Sequence, residues 1–222
     1  MNHSLSIGPV EKEVVFLEQS CATFLQKLAS KDPAPGGGGA AALVAALGAA
    51  LGNMVANLTL GKKKYADVEK EIKEILEKMM ELQEQMLSYV QKDADAFLPL
   101  IQAYALPAEN EDQKQEKNAR IQRHAKNAAK IPLQLMELCT RAIRIHQDLL
   151  QKGTVLAVSD IGVGVLCLKA ALESASLNVR INLKTIKDQT YVARAKEQMA
   201  LLLESYCPLA DEVYQEVLAR LA

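Results

Sequence analysis

The sequence predicts an all-α fold, a helical bundle with long antiparallel helices around a central, buried Ala/Gly-rich helix. Three observations carry this prediction. Apolar residues recur at three- and four-residue spacing along most of the 222 residues. No segment shows the period-two alternation of a strand, and aromatic residues, which strands favour, make up only 4% with no Trp. Residues 33–61 carry no charge, and 40–60 read AAALVAALGAALGNMVANLTL. That run is long enough to span a bilayer. It is mostly weakly apolar Ala and Gly, with Asn53 and Asn57 inside it, so a helix buried on all sides is expected and a membrane span is not.

The elements follow in order. Val14, Leu17, Cys21, Phe24, Leu25 and Leu28 predict a first helix over 10–29. Asp32-Pro-Ala-Pro-Gly-Gly-Gly-Gly39 ends it and opens the Ala-rich helix. There Gly48-x-x-x-Gly52 lets a neighbouring helix approach closely. Gly61-Lys-Lys-Lys64 is a short basic loop. One apolar face from Tyr65 to Ile101 predicts a long helix, kinked near Pro99, and 105–112 is a polar connection. Helix resumes over 113–130, breaks or kinks at Pro132, and runs to Lys152 before Gly153. Ser159-Asp160 supplies capping chemistry for a helix over 161–177. Helices over 181–205 and 207–221 complete one domain spanning 1–222, with Pro208 in the first turn of the last.

Composition narrows the function. Lys plus Arg total 26 against 27 Asp plus Glu, so no basic excess points to nucleic acid. Hydrophobic residues at 50% and charged residues at 24% exclude wholesale disorder. Cys21, Cys139, Cys167 and Cys207 form no C-x-x-C pair, and His3, His124 and His146 form no H-E-x-x-H. Neither a zinc framework nor a disulfide scaffold is expected. Met1–Glu13 has no apolar signal core, so the expected location is the cytoplasm.

Three features could carry chemistry, and each has a plainer reading. Pro35, Gly36, Gly37, Gly38 and Gly39 open a helix whose first N–H groups are free to bind an anion or a polar ligand; the plainer reading is a tight turn between crowded helices. Asn53 with Asn57, and Asn178 with Asn182, lie four residues apart and so share a helix face. Buried Asn needs partners, which are either core groups or the amide and amino edge of a heterocycle. Asp160 and Asp93 are carboxylates in low-charge surroundings, Asp160 otherwise reading as a helix cap and Asp93 as a solvated residue. Lys62, Lys63 and Lys64 are a solvated turn or a contact for a polyanionic tail.

Six separated blocks carry a family resemblance: Pro33-Ala-Pro-Gly-Gly-Gly-Gly-Ala40, Gly52-Asn-Met-Val-Ala-Asn-Leu-Thr59, Gly61-Lys-Lys-Lys-Tyr65, Asp93-Ala-Asp-Ala-Phe97, Ser159-Asp-Ile-Gly-Val163 and Leu177-Asn-Val-Arg-Ile-Asn-Leu183. In this order, over nearly the whole chain, they resemble the formimidoyltetrahydrofolate cyclodeaminase and methenyltetrahydrofolate cyclohydrolase family. Gly39 stands where relatives often carry Ser. The resemblance implies an all-helical, homodimeric, cytosolic enzyme of one-carbon folate metabolism, needing neither metal nor redox cofactor. Cyclodeamination is the favoured reaction and cyclohydrolysis the alternative; a non-catalytic folate- or helix-binding module is a third reading. It implies Asp160 and Asp93 as catalytic carboxylates. Pro35, Gly36, Gly37, Gly38, Asn53, Asn57, Ser159, Asn178 and Asn182 would shape the folate site, with Lys62, Lys63 and Lys64 on the tail of a polyglutamylated substrate.

Overall fold

Helical periodicity becomes helix throughout residues 16–222, which the computed structural model describes. Six α-helices, α1 Cys21–Leu28, α2 Gly37–Thr59, α3 Glu69–Ala105, α4 Glu111–Lys152, α5 Val158–Leu183 and α6 Gln189–Leu221, are joined by short turns, with no strand among the described residues. The all-α expectation stands.

The boundaries depart from expectation where local signals meet tertiary packing. The first helix is shorter than 10–29: Ser20 accepts from the Thr23 N–H and caps α1 at Cys21, and Val14 lies outside the described residues. The long helix begins at Glu69, because Lys63–Val68 form a 3-10 segment in which Tyr65 is non-helical. Pro99, Pro132 and Pro208 all sit inside helices, so α4 and α6 are each continuous across an expected break. Each proline costs one backbone hydrogen bond, which long packed flanks outweigh; Pro132 itself is buried. Asp160 is not a cap: Ala157 holds that position, and Ser159 and Asp160 fall in the first turn of α5.

Pairwise contacts give the topology. The Gly39 N–H meets Asp93 and Asn53 meets Gln83, so α2 and α3 run antiparallel. Tyr89 meets Gln134 and Lys152 pairs with Glu71, which makes α3 and α4 antiparallel. Asn182 reaches the Ala128 carbonyl, and Lys169 pairs with Asp211, so α5 runs against both α4 and α6.

α2 lies between α3 and α5, over α4, and small residues make that possible. A Cβ on Gly48 would fall 2.8 Å from the Gly164 carbonyl oxygen, so α2 and α5 touch backbone to backbone, as the Gly48-x-x-x-Gly52 spacing anticipates. The buried face of α2 is Ala41, Ala42, Ala45, Ala46, Ala49 and Ala56. Its other face is open, with Leu47 (54%), Met54 (37%) and Leu58 (45%) exposed, so α2 is not buried on all sides. Gly37–Thr59 and Val155–Leu183 are both long and apolar enough to cross a membrane; 61% and 50% of their most apolar windows lie inside the bundle.

His146 of α4 fills the space the glycines leave. It is fully buried, and a Cβ on Gly164 would lie 2.3 Å from its Nε2. Its Nδ1–H donates to the Ala142 carbonyl at 2.9 Å, which fixes the neutral tautomer; Nε2 has no partner in hydrogen-bonding geometry. Burial pushes its pKa down to about 4, against the weaker opposing pull of the Ala142 and Gly48 carbonyls. A group whose folded pKa is depressed gives stability that is present above its unfolded value, about 6.5, and lost as pH falls toward the folded one. Stability should therefore drop by about 2 kcal/mol between pH 6.5 and 5. Urea unfolding across that window tests this, and a flat stability would refute it.

Candidate active site

The start of α2 is the point where three helices deliver polar groups. Gly36 is its N-cap position and offers no side-chain cap. The cap comes instead from α3: the Gly39 N–H donates to Asp93 Oδ2 at 3.0 Å. The carboxylate lies so close that a Cβ on Gly38 would fall 2.0 Å from its Oδ1; only glycine fits. Burial pushes the Asp93 pKa above the ordinary carboxylate value, with the Gly39 N–H pulling against it. Asp93 is thereby a carboxyl group shifted toward the pH at which it can both hold and release a proton.

Around this pair is a pocket with about 480 Å³ of empty space, part of it open to solvent. Gly36, Gly37 and Gly38 form one wall, Asp93 and Phe97 of α3 a second, and Asn178 and Asn182 of α5 a third. Asn178 Nδ2 donates to the Ser174 carbonyl at 3.0 Å, and its Oδ1 sits 3.5 Å from where a Gly37 Cβ would be. Asn182 Nδ2 donates to the Ala128 carbonyl at 2.9 Å. Each amide is thus anchored through its nitrogen, which fixes where its oxygen lies. Pro35 is buried behind the turn, and the Ala34–Pro35 peptide is cis.

The pocket therefore brings together Asp93, Gly36, Gly37, Gly38, Asn178 and Asn182. The remaining candidates lie elsewhere. Asn53 is buried but faces α3, donating to Gln83 Oε1 at 2.7 Å, and Asn57 is exposed. Lys62, Lys63 and Lys64 are exposed beyond the far end of α2, a helix of 23 residues and so ~35 Å long. Lys62 Nζ donates to Thr154 Oγ1 at 3.4 Å there, and the Val155 N–H donates to the Tyr65 hydroxyl at 3.1 Å. Ser159 and Asp160 belong to that same end. Asp160 precedes Asn178 by 18 positions on one helix, which is ~27 Å, so Asp93 and Asp160 do not meet within one chain.

Several contributors carry no sequence signal of their own. Phe97, Ile181 and Ala128 line the pocket, and each reads in sequence as ordinary core spacing. Among the described residues no Lys, Arg or His lines the pocket; Arg180, between the two asparagines, lines a separate groove with Lys184 and Lys196. No three His, Cys, Asp or Glu side chains come together among the described residues as a metal-binding group.

The profile of the formiminotransferase-cyclodeaminase family matches residues 20–201. The chain belongs to that family. The match spans the pocket and every block that carries the resemblance. The chain is 39% identical to methenyltetrahydrofolate cyclohydrolase of Methylorubrum extorquens over 199 residues, covering 90% of this chain and 96% of that one. It is 30% identical to formimidoyltransferase-cyclodeaminase of Rattus norvegicus over 192 residues, 86% of this chain and 36% of the longer rat protein. Its fold matches the crystal structure of formiminotetrahydrofolate cyclodeaminase from Thermotoga maritima with a TM-score of 0.77 and 29% identity, covering 92% of this chain and 96% of that one.

Proposed function

We propose that this chain is a one-carbon folate enzyme that makes or opens the methenyl bridge between N5 and N10 of tetrahydrofolate. In the cyclodeaminase reading, N10 of protonated 5-formimidoyltetrahydrofolate attacks the amidinium carbon. The tetrahedral adduct then loses ammonia to leave the 5,10-methenyl cation, the N10 proton passing to the departing nitrogen. In the cyclohydrolase reading, water adds to the methenyl cation and one proton is released as the ring opens to 10-formyltetrahydrofolate. The relative that matches this chain over almost its entire length at 39% identity is a cyclohydrolase, and this observation favours the second reading.

One observation carries the proposal: a partly buried carboxyl of raised pKa held against the start of α2, in a pocket with two anchored amides. Asp93 would carry the proton, from N10 to ammonia in one direction and from attacking water in the other. Its negative charge would offset the amidinium or methenyl cation. The free N–H groups of Gly37 and Gly38, with the asparagine oxygens, would match the donor and acceptor edge of the pterin. The reading extends to a cytoplasmic homodimer working on polyglutamylated folate, supported by the open apolar face of α2 and the Lys62–Lys64 run.

The test is spectroscopic. Purified protein is given 5-formimidoyltetrahydrofolate and, separately, 5,10-methenyltetrahydrofolate, and the methenyl absorbance is followed. Appearance of the band identifies a cyclodeaminase. Decay faster than the spontaneous rate identifies a cyclohydrolase. No change with either substrate rejects the proposal.

A further inference from the structure

We infer that the groove between α5 and α6 holds the γ-linked glutamate chain of a polyglutamylated substrate, through Arg180, Lys184 and Lys196. This deepens the folate reading above and rests on it. The groove has about 600 Å³ of empty space, part of it open to solvent, and its lining is of two kinds. Leu183, Val192 and Met199 are buried and form an apolar floor, while Arg180, Lys184 and Lys196 are exposed and form a basic rim. Among the described residues none of the three cations forms an ion pair. Nor does a carboxylate line the groove. Asp188 pairs with Lys126, and Glu137 accepts from Gln198. Glu173, exposed on α5, lies seven positions before Arg180, ~10 Å along the helix, and its carboxylate acts on Cys207 instead. Glu197 follows Lys196, a step of ~100° around α6, and is not at the groove. Three like charges in one groove repel each other, and a bound polyanion relieves that repulsion.

The groove adjoins the pocket across a single helix. Asn178, Ile181 and Asn182 line the pocket, while Arg180 and Lys184, in the same two turns of α5, line the groove. Ile181 is 57% exposed at the lip of the pocket. Lys184, the C-cap of α5, stands three positions on and is its neighbour on the helix surface. A folate whose pterin lies against the glycine turn and the asparagines carries its tail out of the open side of the pocket. Crossing α5 to the groove takes about 10–12 Å. Each γ-glutamyl unit adds five bonds to the chain against three for an ordinary residue, so it reaches further than ~3.6 Å, and about three units suffice. The chemistry of such a chain matches both linings. Every unit brings two methylenes for the apolar floor and one α-carboxylate for the basic rim.

Tail length is the readout. kcat/KM is measured with the monoglutamyl and pentaglutamyl forms of the folate that the protein turns over, for the wild type and for the triple variant Arg180→Ala, Lys184→Ala, Lys196→Ala, with circular dichroism as the check on folding. One exposed ion pair is worth ~1.5–5-fold in affinity. Three should therefore make the wild type prefer the pentaglutamyl form by ~3–100-fold, and added salt should shrink that preference. In the triple variant the ratio should fall to about one. A merely structural lesion would lower both values and leave their ratio unchanged, so a folded triple variant that keeps the preference overturns the inference. Single Lys184→Gln and Lys196→Gln variants, at exposed positions, should each lower the ratio and decide the matter if the triple variant does not fold. A wild type that treats both substrates alike also overturns it. So does a preference that survives in the groove variants but vanishes in Lys62→Ala, Lys63→Ala, Lys64→Ala, since the tail would then be held at the other end of α2. A wild-type protein without turnover on any of these folates removes the folate reading itself, and this inference with it, an outcome distinct from an active wild type that ignores tail length.

Discussion

Asp93→Asn should lower kcat by about 10²–10⁴-fold and at the same time raise the stability of the protein at neutral pH. The activity loss follows because an amide neither takes nor gives the proton that the tetrahedral carbon requires. Geometry is nearly unchanged: Asn keeps an oxygen able to accept from the Gly39 N–H, which now bonds Asp93 at 3.0 Å. The stability gain follows from the sign of the shift. Burial holds the Asp93 pKa above its ordinary value. A carboxyl raised in this way contributes stability that is fully present below its unfolded pKa and lost as pH rises through the folded one. At pH 7 the ionised, partly buried carboxylate is a burden that Asn removes. Urea unfolding at pH 7.5 and at pH 4 should show the variant's advantage at the higher pH and its disappearance at the lower. An Asp93→Asn protein with wild-type turnover would end the assignment of this residue.

Gly38→Ala is expected to be nearly as damaging to catalysis, by displacement. The new Cβ would lie 2.0, 2.4 and 2.6 Å from Oδ1, Cγ and Oδ2 of Asp93, distances that no real contact sustains. The carboxylate must swing away, and the first turn of α2 loses its cap. Misplacing a reacting group by about 1 Å can cost 10²-fold, and overpacking costs about 1–3 kcal/mol. The adjacent glycines calibrate the effect. A Cβ on Gly37 meets Asn178 at an ordinary 3.5 Å, and one on Gly36 meets nothing within 4 Å. Activity should therefore rank Gly36→Ala above Gly37→Ala, and both far above Gly38→Ala, in kcat/KM and in thermal melts. Equal activities for Gly37→Ala and Gly38→Ala would mean that the Asp93 position is unimportant.

The sequence shows these helices better than their ends. Apolar periodicity identifies α3 from its Ile72, Met79, Met86, Val90 and Ala94 face. It cannot show that α4 passes through Pro132, because packing on both sides of the proline decides that. Asp160 follows a Ser and precedes an apolar run, so it reads as a cap, whereas the helix is capped three positions earlier, at Ala157. The Asn pairs show the limit of spacing arguments. Asn178 and Asn182 both reach the pocket, while Asn53 is buried against Gln83 and Asn57 is in solvent. Four-residue spacing places two side chains on one face but does not say what covers each.

The bond between Asp93 and Gly39 joins positions 54 apart in sequence. A helix that opens on three glycines is a poor nucleus, since glycine gives up the most backbone freedom on ordering. Its first turn is completed only when a carboxylate arrives from another helix. The pocket also takes residues from Pro33 through Asn182, so it is assembled from four separate stretches of polypeptide that meet only in the finished bundle. No excised fragment ending before α5 can contain it, and during synthesis on the ribosome the chemistry has to wait until most of the protein has emerged.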